Sequence, residues 1–354
     1  MSVETVNATA TAAAVGLDMD KATGYKTVGV VDGVAGAAVS FTNLAAGTAL
    51  NVTDTSPTAA PWIASATFAL KDASGLSDVA NLTVNGIGNA TGVVVTGYET
   101  VNLTVTGANS TAGGGFALVD ADLKTLSITA SKDATITLAA AALDSVTGTG
   151  AGAVTLTGVS NTTKTIDFSA ATGNITIVDV GDAAVSIKGG SGADTFGDIV
   201  ANKAVVLAGA GNDTIVFNQA AASTGSVTGG TGGDTINLGA SKVTAIYTAA
   251  NESTLANIDR VSNFTTANDK FDLKGLALAG DKTNLGTFSA NALVDQGDYF
   301  NGRAVSYGQD TNTGKWYLLA DANNNAKFDL ATDLAIEIVG GAAGSVVFAD
   351  LVLS

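Results

Sequence analysis

The chain has 354 residues, of which 46% are hydrophobic, and its 32 acidic and 16 basic side chains give a formal net charge of −16. It contains no Cys and no His, which excludes disulfides, thiolate or imidazole metal sites, and the Ser-His-Asp and HExxH arrangements of many hydrolases. The acidic balance is unfavourable for nucleic acid, whereas carboxylate, amide and carbonyl oxygens suit hard cations such as Ca²⁺.

Residues 1–79 are predicted to form a β-rich N-terminal segment. Short apolar runs such as VSF, LNV and TFAL are interrupted at 56–62 by SPTAAPW, which holds both prolines. The first twenty residues lack the basic start and apolar run of a signal peptide. No apolar stretch reaches the ~18 residues of a membrane span, so no transmembrane insertion is expected.

Residues 80–246 show a repeat of short strands. The buried positions of the period-two runs recur every ten residues, at Leu126, Ile136, Val146, Leu156 and Ile166. Two such segments make a coil of about 20 residues, which predicts an all-β fold built on a parallel β-solenoid. The same spacing predicts a further set of inward residues: Ile187, Phe196, Val206, Ile215, Val227, Ile236 and Ile246.

Three glycine-rich motifs lie inside this repeat: GGSGADTFG at 189–197, AGAGNDTIV at 208–216 and GGTGGDTIN at 229–237. Their aspartates are 19 and 21 residues apart, or one coil, so they stack on one edge. Stacked carboxylates repel each other unless a cation lies between them, and a glycine turn without metal is the alternative. The predicted calcium ligands are Gly189, Gly190, Gly192, Asp194, Gly209, Gly211, Asn212, Asp213, Gly229, Gly230, Gly232 and Asp234.

These motifs resemble the nonapeptides of the RTX (repeats-in-toxin) family, which wind into a calcium-bound β-roll. The resemblance implies a single row of calcium ions, because the intervening segments lack the motif. The following segment, LANIDRVSNFTTANDKFDLKGL at 255–276, is similar to the one after RTX repeats. Its candidate ligands are Asp259, Asp269 and Asp272, and a capping hairpin with solvated acids is the alternative.

Residues 247–354 are predicted to form a C-terminal cap that contains an EF-hand-like loop. DANNNAKFDLATD places Asp321, Asn323, Asn325 and Asp329 at positions 1, 3, 5 and 9, with Asp333 just beyond. The glycine expected at position 6 is Ala326, so a polar turn is an equal alternative.

The last residues, GSVVFADLVLS, resemble the C-terminal signal of substrates of the type I secretion pathway. This resemblance implies a secreted protein at the bacterial cell surface, exported without an N-terminal signal peptide. Such a chain would fold when it meets external Ca²⁺.

Residues 1–188 show β-strand repeats and no catalytic signature; ETVNLTVTG and LKTLSITA resemble repeats of the surface-layer branch of type I-secreted proteins. We therefore expect no enzyme but a self-assembling surface-layer, matrix or filament subunit. Its expected partners are other copies of itself and a cell-surface polysaccharide, with no nucleic acid.

Two other functions remain open. Thr135, Thr137, Thr155 and Thr157 could form a flat Thr-x-Thr ladder, as in adhesive or ice-binding solenoids. The chain could also be the secretion and folding part of a larger RTX protein.

Overall fold

The computed structural model describes residues 4–10, 14–33, 37–54, 63–87, 91–107, 115–180, 185–218, 223–266 and 268–354. The proline-containing loop at 56–62 lies outside these ranges. Chain packing divides the protein into two compact units, Met1–Ala183 (unit 1) and Ala184–Ser354 (unit 2). In both units successive strands alternate between two largely parallel sheets, which confirms the predicted all-β fold with a parallel β-solenoid.

The described residues of unit 1 form sixteen strands in two parallel sheets. Sheet 1A contains β1 Thr5–Ala10, β3 Thr27–Gly33, β5 Ala49–Thr53, β7 Val79–Asn85, β9 Thr100–Val105, β11 Thr125–Ala130, β13 Ser145–Gly150 and β15 Thr165–Ala171. Sheet 1B contains β2 Val15–Asp18, β4 Ala38–Leu44, β6 Ser65–Leu70, β8 Gly92–Thr96, β10 Phe116–Val119, β12 Ala134–Ala139, β14 Val154–Thr157 and β16 Ile175–Ile177.

Register in unit 1 explains the spacing of its apolar residues. Leu126 pairs with Val146, and Val146 pairs with Ile166, so one coil here takes 20 residues. All three side chains are 0% exposed and stack along the interior, where burial of apolar surface is the main stabilising term. Strands β1 to β6 pair in the same way, so the coils of residues 1–79 share this architecture.

The described strands of unit 2 show the same alternation within that unit. Sheet 2A contains β17 Ser186–Lys188, β19 Ala204–Ala210, β21 Thr224–Thr231, β23 Lys242–Ile246, β25 Lys270–Asp272 and β30 Leu351–Val352. Sheet 2B contains β18 Thr195–Ile199, β20 Thr214–Phe217, β22 Thr235–Asn237, β24 Asp259–Ser262, β29 Leu334–Val339, β28 Trp316–Ala320, β27 Val305–Asp310 and β26 Gly286–Ala290. The described residues of unit 2 also form three short 3₁₀ helices, Ala250–Glu252, Lys274–Leu276 and Phe348–Asp350.

The parallel pattern changes near the C-terminus. Strand β28 is antiparallel to both β27 and β29, while β29 pairs in parallel with β24 and β30 with β25. A local core packs beneath these strands, formed by Tyr299, Phe300, Tyr317, Leu319, Phe328 and Ala335. Strands β29 and β30 therefore pair with the last coil, which β24 and β25 form.

One predicted inward residue is wrong. Val227 pairs with Ala245, so Ala245 continues the buried ladder and Ile246 faces the other way. The next buried position is Tyr247, which is 1% exposed.

The sequence predicts no transmembrane insertion, and one structural finding bears on that prediction. Within the described ranges, no helix combines the length and the apolar character needed to cross a bilayer.

Candidate metal centre

The three glycine-rich motifs form corners that connect sheet 2A to sheet 2B in unit 2. They join β17 to β18, β19 to β20 and β21 to β22. Because the first residues of β18, β20 and β22 pair with one another, the aspartates that precede them stack in a row. Asp194, Asp213 and Asp234 are 0%, 1% and 0% exposed. The row thus lies on one edge, with its carboxylates turned into the corner and away from solvent.

The carboxylates of Asp213 and Asp234 each accept a hydrogen bond from the backbone of the preceding coil. The Asp194 N–H donates to Oδ1 of Asp213 at 2.7 Å, and the Asp213 N–H donates to Oδ1 of Asp234 at 2.9 Å. Within its own corner, Asp194 accepts the Gly190 N–H through Oδ2 at 2.8 Å. These bonds fix the position of every carboxylate relative to the next.

In two of these carboxylates the second oxygen has no hydrogen-bond partner among the described residues. Oδ2 of Asp213 and Oδ2 of Asp234 are buried and have no hydrogen-bond partner among the described residues. Burial raises the pKa of Asp213 to about 7 and that of Asp234 to about 6, and neighbouring carboxylates add to both effects. Buried polar atoms are almost always satisfied by protein, water or an ion, so these two oxygens need a partner of that kind.

The glycines permit this stacking. Gly230 and Gly232 have φ of +102° and +140°, and a Cβ on either would collide with a carbonyl oxygen of the preceding corner. A Cβ on Gly229 would collide with Oδ2 of Asp234. The remaining predicted ligands lie in the same three corners: Gly189, Gly190, Gly192, Gly209, Gly211 and Asn212. Carbonyl and carboxylate oxygens therefore crowd together at this edge.

This donor set fits calcium. Among the described residues, no three acidic side chains converge closely enough to hold one ion. A cation at this edge would instead be shared between two carboxylates and neutral oxygens, and Ca²⁺ accepts six to eight oxygen ligands of both kinds in flexible geometry.

Asp259 extends the row by one more coil. Its Oδ1 accepts the Asp234 N–H at 2.8 Å, and its Oδ2 accepts the Tyr247 hydroxyl at 2.9 Å. Burial, followed by the Asp234 charge, raises the pKa of Asp259 to about 8. The buried Glu252 lies nearby and accepts the Thr248 N–H at 3.1 Å.

Tyr247 and Glu252 are not among the sequence-predicted site residues. For Tyr247 a signal exists in the alternation Val243-x-Ala245-x-Tyr247, which directs the ring inward. Glu252 follows in a 3₁₀ helix, where the strand periodicity gives no guide to its direction.

Two other predicted ligands lie away from the row. Asp269 accepts the N–H groups of Val243 at 2.9 Å and Thr265 at 2.8 Å, in the corner between β24 and β25. Asp272 is partly exposed and pairs with Lys274 at 3.4 Å. The structure therefore brings Asp259 into the carboxylate row but not Asp269 or Asp272.

The EF-hand-like loop gathers its five predicted residues. Asp333 is 0% exposed and accepts the N–H groups of Ala322, Asn323 and Asp329 at 2.9, 3.2 and 2.9 Å. Asp321 accepts the Asn325 N–H at 3.1 Å and the Ala326 N–H at 2.9 Å.

Side-chain amides complete this loop. The amide nitrogens of Asn323 and Asn325 both donate to Oδ2 of Asp329, the latter at 2.7 Å. In this state the hydrogen bonds are those of a polar turn.

The opposite edge of unit 2 has a different chemistry. Corners that return from sheet 2B to sheet 2A contain hydrogen bonds between side-chain amides. In one of them, Asn263 Nδ2 donates to Asn237 Oδ1 at 2.8 Å. The row of buried carboxylates therefore belongs to the glycine-motif edge.

Comparison with known proteins supports the same family. The family model described as peptidase M10 serralysin C terminal matches residues 69–352, about four fifths of the chain. A comparison with curated proteins found no significant match. The matched region is the non-catalytic RTX-type domain of serralysin-type proteases, not their catalytic domain, and such a domain implies export from the cell. The chain thus belongs to the serralysin C-terminal family of RTX-type β-roll proteins.

Proposed function

We propose that this chain is an exported structural protein that folds around calcium and then assembles with copies of itself. The observation that carries the proposal is the carboxylate row, in which Asp213 and Asp234 each hold one buried oxygen without a partner among the described residues. A protein that left these charges uncompensated would be strongly destabilised at neutral pH, because a buried unpaired charge is costly.

The residues of the row have separate roles in this proposal. Backbone N–H groups hold Oδ1 of Asp213, Asp234 and Asp259, so the remaining oxygens of Asp213 and Asp234 are available to a cation. Bound calcium supplies the positive charge and the coordination that these oxygens lack. Asp194 and Asp259 are the two ends of the row.

Calcium binding would couple folding to export. Calcium stabilises the folded state by mass action, by about 4 kcal/mol when its concentration is 1,000 times the dissociation constant. A chain that meets little calcium inside the cell would stay less folded there and fold outside. The EF-hand-like loop at 321–333 is proposed as a further site, reached by rotation of its amide groups.

Self-assembly is supported by the regularity of the solenoid surface. On the outer side of sheet 1A, short polar residues repeat from strand to strand, as in Thr100, Thr125, Ser145 and Thr165. A net charge of −16 would keep copies apart unless cations screen it or bridge it. We propose a surface layer, matrix or filament of this chain, with a cell-surface polysaccharide as the anchoring partner.

A second candidate function is a binding face on sheet 1B. Thr135 pairs with Thr155, and Thr155 pairs with Thr176. The hydroxyl of Thr157 donates to that of Thr137 at 3.1 Å, which supports the predicted ladder. In the next coil Thr176 pairs with Thr155, so Val178 and not a threonine takes the position after Thr157. Thermal hysteresis or retention on an insoluble polysaccharide, lost in Thr137→Val with Thr157→Val, would favour this function.

The proposed function is tested by assembly of the full chain. Light scattering and negative-stain images are recorded in chelator and in millimolar calcium for the wild type, for Asp213→Asn and for Asp272→Asn as the matched control. Ordered sheets or filaments in calcium, lost in Asp213→Asn and kept in Asp272→Asn, are the expected result. Monomers under all conditions would overturn self-assembly.

A further inference from the structure

A second group of buried oxygens lies in unit 1, far from the glycine motifs in sequence. Oδ2 of Asp78, the hydroxyl of Tyr98 and Oδ2 of Asp120 are buried, and none has a hydrogen-bond partner within the described parts of the chain. Asp120 is 2% exposed and Tyr98 is 1% exposed. These atoms show the same feature as Asp213 and Asp234 in the carboxylate row.

Asp120 lies at a position where the fold expects an apolar residue. In β10 and just beyond it, Phe116, Leu118 and Asp120 alternate inward. Val119 pairs with Val94 on one side and with Ala139 on the other, so the neighbours of Asp120 along the ladder are Val95 and Ala140. An aspartate among apolar neighbours is unfavourable unless something satisfies it.

The neighbouring coils bring other oxygens to this corner. The Asp78 N–H donates to Oε2 of Glu99 at 2.8 Å, and the Glu99 N–H donates to the Asp78 carbonyl at 3.0 Å. Tyr98 precedes Glu99, and the Tyr98 backbone lowers the pKa of the Asp120 carboxyl, which places the two residues close together. Oδ1 of Asp120 accepts the Asp122 N–H at 2.9 Å, and Oδ2 is the oxygen without a partner among the described residues.

The electrostatic effects are consistent with this proximity. Burial raises the pKa of Asp120 to about 6, and the Asp122 and Glu99 charges add to the effect. Burial raises the pKa of Tyr98 to about 12, with contributions from Asp78 and Asp120. The Tyr98 hydroxyl is therefore a neutral oxygen at this corner.

We propose that Asp78, Tyr98 and Asp120, with Glu99 beside them, hold a divalent cation of the calcium class in unit 1. Two carboxylates and a phenol oxygen form a hard donor set that balances a doubly charged ion. As in the carboxylate row, the ion would be shared by two carboxylates and neutral oxygens. This site does not rest on the proposed function, since it uses no residue of the glycine motifs.

The test uses terbium as a luminescent substitute for calcium, because a tyrosine close to the ion transfers its excitation energy to it. Full-length wild type, Tyr98→Phe and Asp120→Asn are titrated with Tb³⁺, and bound Ca²⁺ is counted by isothermal titration calorimetry. Tyr307→Phe is the matched control, because Tyr307 belongs to unit 2 and its hydroxyl donates to the Ala342 carbonyl at 3.2 Å.

The site predicts loss of one tyrosine-sensitised component in Tyr98→Phe, and a calcium count lower by one in Asp120→Asn, with no change in Tyr307→Phe. Both variants should fold, because the Tyr98 hydroxyl has no partner within the described ranges and Asn removes a buried charge. Unchanged luminescence in Tyr98→Phe together with an unchanged count in Asp120→Asn would overturn the site and assign these oxygens to buried water. Asp213→Asn, measured alongside, reports on the glycine-motif row separately.

Discussion

Asp213 donates its backbone N–H to Oδ1 of Asp234 at 2.9 Å, one coil further along, and Oδ2 of Asp234 is left buried without a partner in the described structure. The hydrogen bond fixes the orientation of the Asp234 carboxylate, but it provides a partner for only one of the two carboxylate oxygens. The same hydrogen bond occurs between Asp194 and Asp213 and between Asp234 and Asp259, so it is a repeating feature of successive coils. Its stability depends on what neutralises the remaining oxygens.

Asp213→Asn should weaken calcium binding without lowering the stability of the calcium-free protein. The amide cannot supply a charged ligand, so we expect the calcium midpoint to rise at least about tenfold, equivalent to about 1.4 kcal/mol. In chelator the substitution removes a buried charge, so the unfolding temperature should stay the same or rise. Calorimetric titration and thermal melts measure both effects. Asp272→Asn is the control; an equal effect there would contradict a specific role for the row.

The stability of the calcium-free protein should fall as pH rises. An unfolded Asp has a pKa of about 3.9. The folded values are about 7 for Asp213, about 6 for Asp234 and about 8 for Asp259. Groups with raised pKa stabilise the fold fully below their unfolded pKa, and this contribution is lost as pH rises through the folded pKa.

We therefore expect the unfolding temperature in chelator to decrease between about pH 4 and about pH 8. The stabilisation that added calcium gives should increase over the same range, because the ion binds the ionised carboxylates. Thermal melts across this range test the sign. A calcium effect that is larger at low pH than at high pH would contradict this interpretation.

Gly232→Ala should destabilise the protein with or without calcium. Gly232 has φ of +140°, and its Cβ would collide with the carbonyl oxygen of Gly211. Gly314 is the matched control, since it has φ of +73° and no described atom lies within 4 Å of its Cβ position. Gly314→Ala should cost about 1–2 kcal/mol from backbone strain alone, and Gly232→Ala clearly more. Equal costs in urea unfolding would contradict close stacking of the corners.

Two buried tyrosines should respond differently to loss of their hydroxyls. The Tyr247 hydroxyl donates to Oδ2 of Asp259, whereas that of Tyr98 has no partner among the described residues. In chelator, Tyr247→Phe should cost about 1–3 kcal/mol because it leaves a buried acceptor unsatisfied, and Tyr98→Phe should be neutral. Urea unfolding of both variants measures this difference. A loss in Tyr98→Phe equal to that in Tyr247→Phe would contradict these assignments.

The regular part of the fold could be predicted because it repeats. Leu126, Val146 and Ile166 are twenty residues apart and occupy one ladder, so periodicity alone places them. Ile246 breaks the rule because the coil containing it is shorter: Val227 pairs with Ala245, eighteen residues on. A spacing rule cannot detect a change in corner length.

The candidate sites could be predicted where a motif marks them. The glycines and aspartates of 189–237 repeat with one coil, so their stacking follows from the sequence. Asp120 could be predicted only in part. The alternation Phe116-x-Leu118-x-Asp120 predicts that its side chain points inward, but the sequence does not predict which residues surround it. Asp78 and Tyr98 lie in two different earlier corners, and their proximity to Asp120 depends on coil lengths that the repeat does not fix.

The most direct test of calcium-dependent folding is a calcium titration of the full chain followed by far-ultraviolet circular dichroism. Wild type and the Asp213→Asn/Asp234→Asn double variant are compared from chelator to millimolar calcium. We predict that the chain keeps part of its β-structure in chelator, and that the wild type gains the rest cooperatively and reversibly in calcium. The midpoint should be raised at least about a hundredfold in the double variant, equivalent to about 2.8 kcal/mol. An identical β-spectrum in chelator and in calcium, with the same thermal stability, would contradict it.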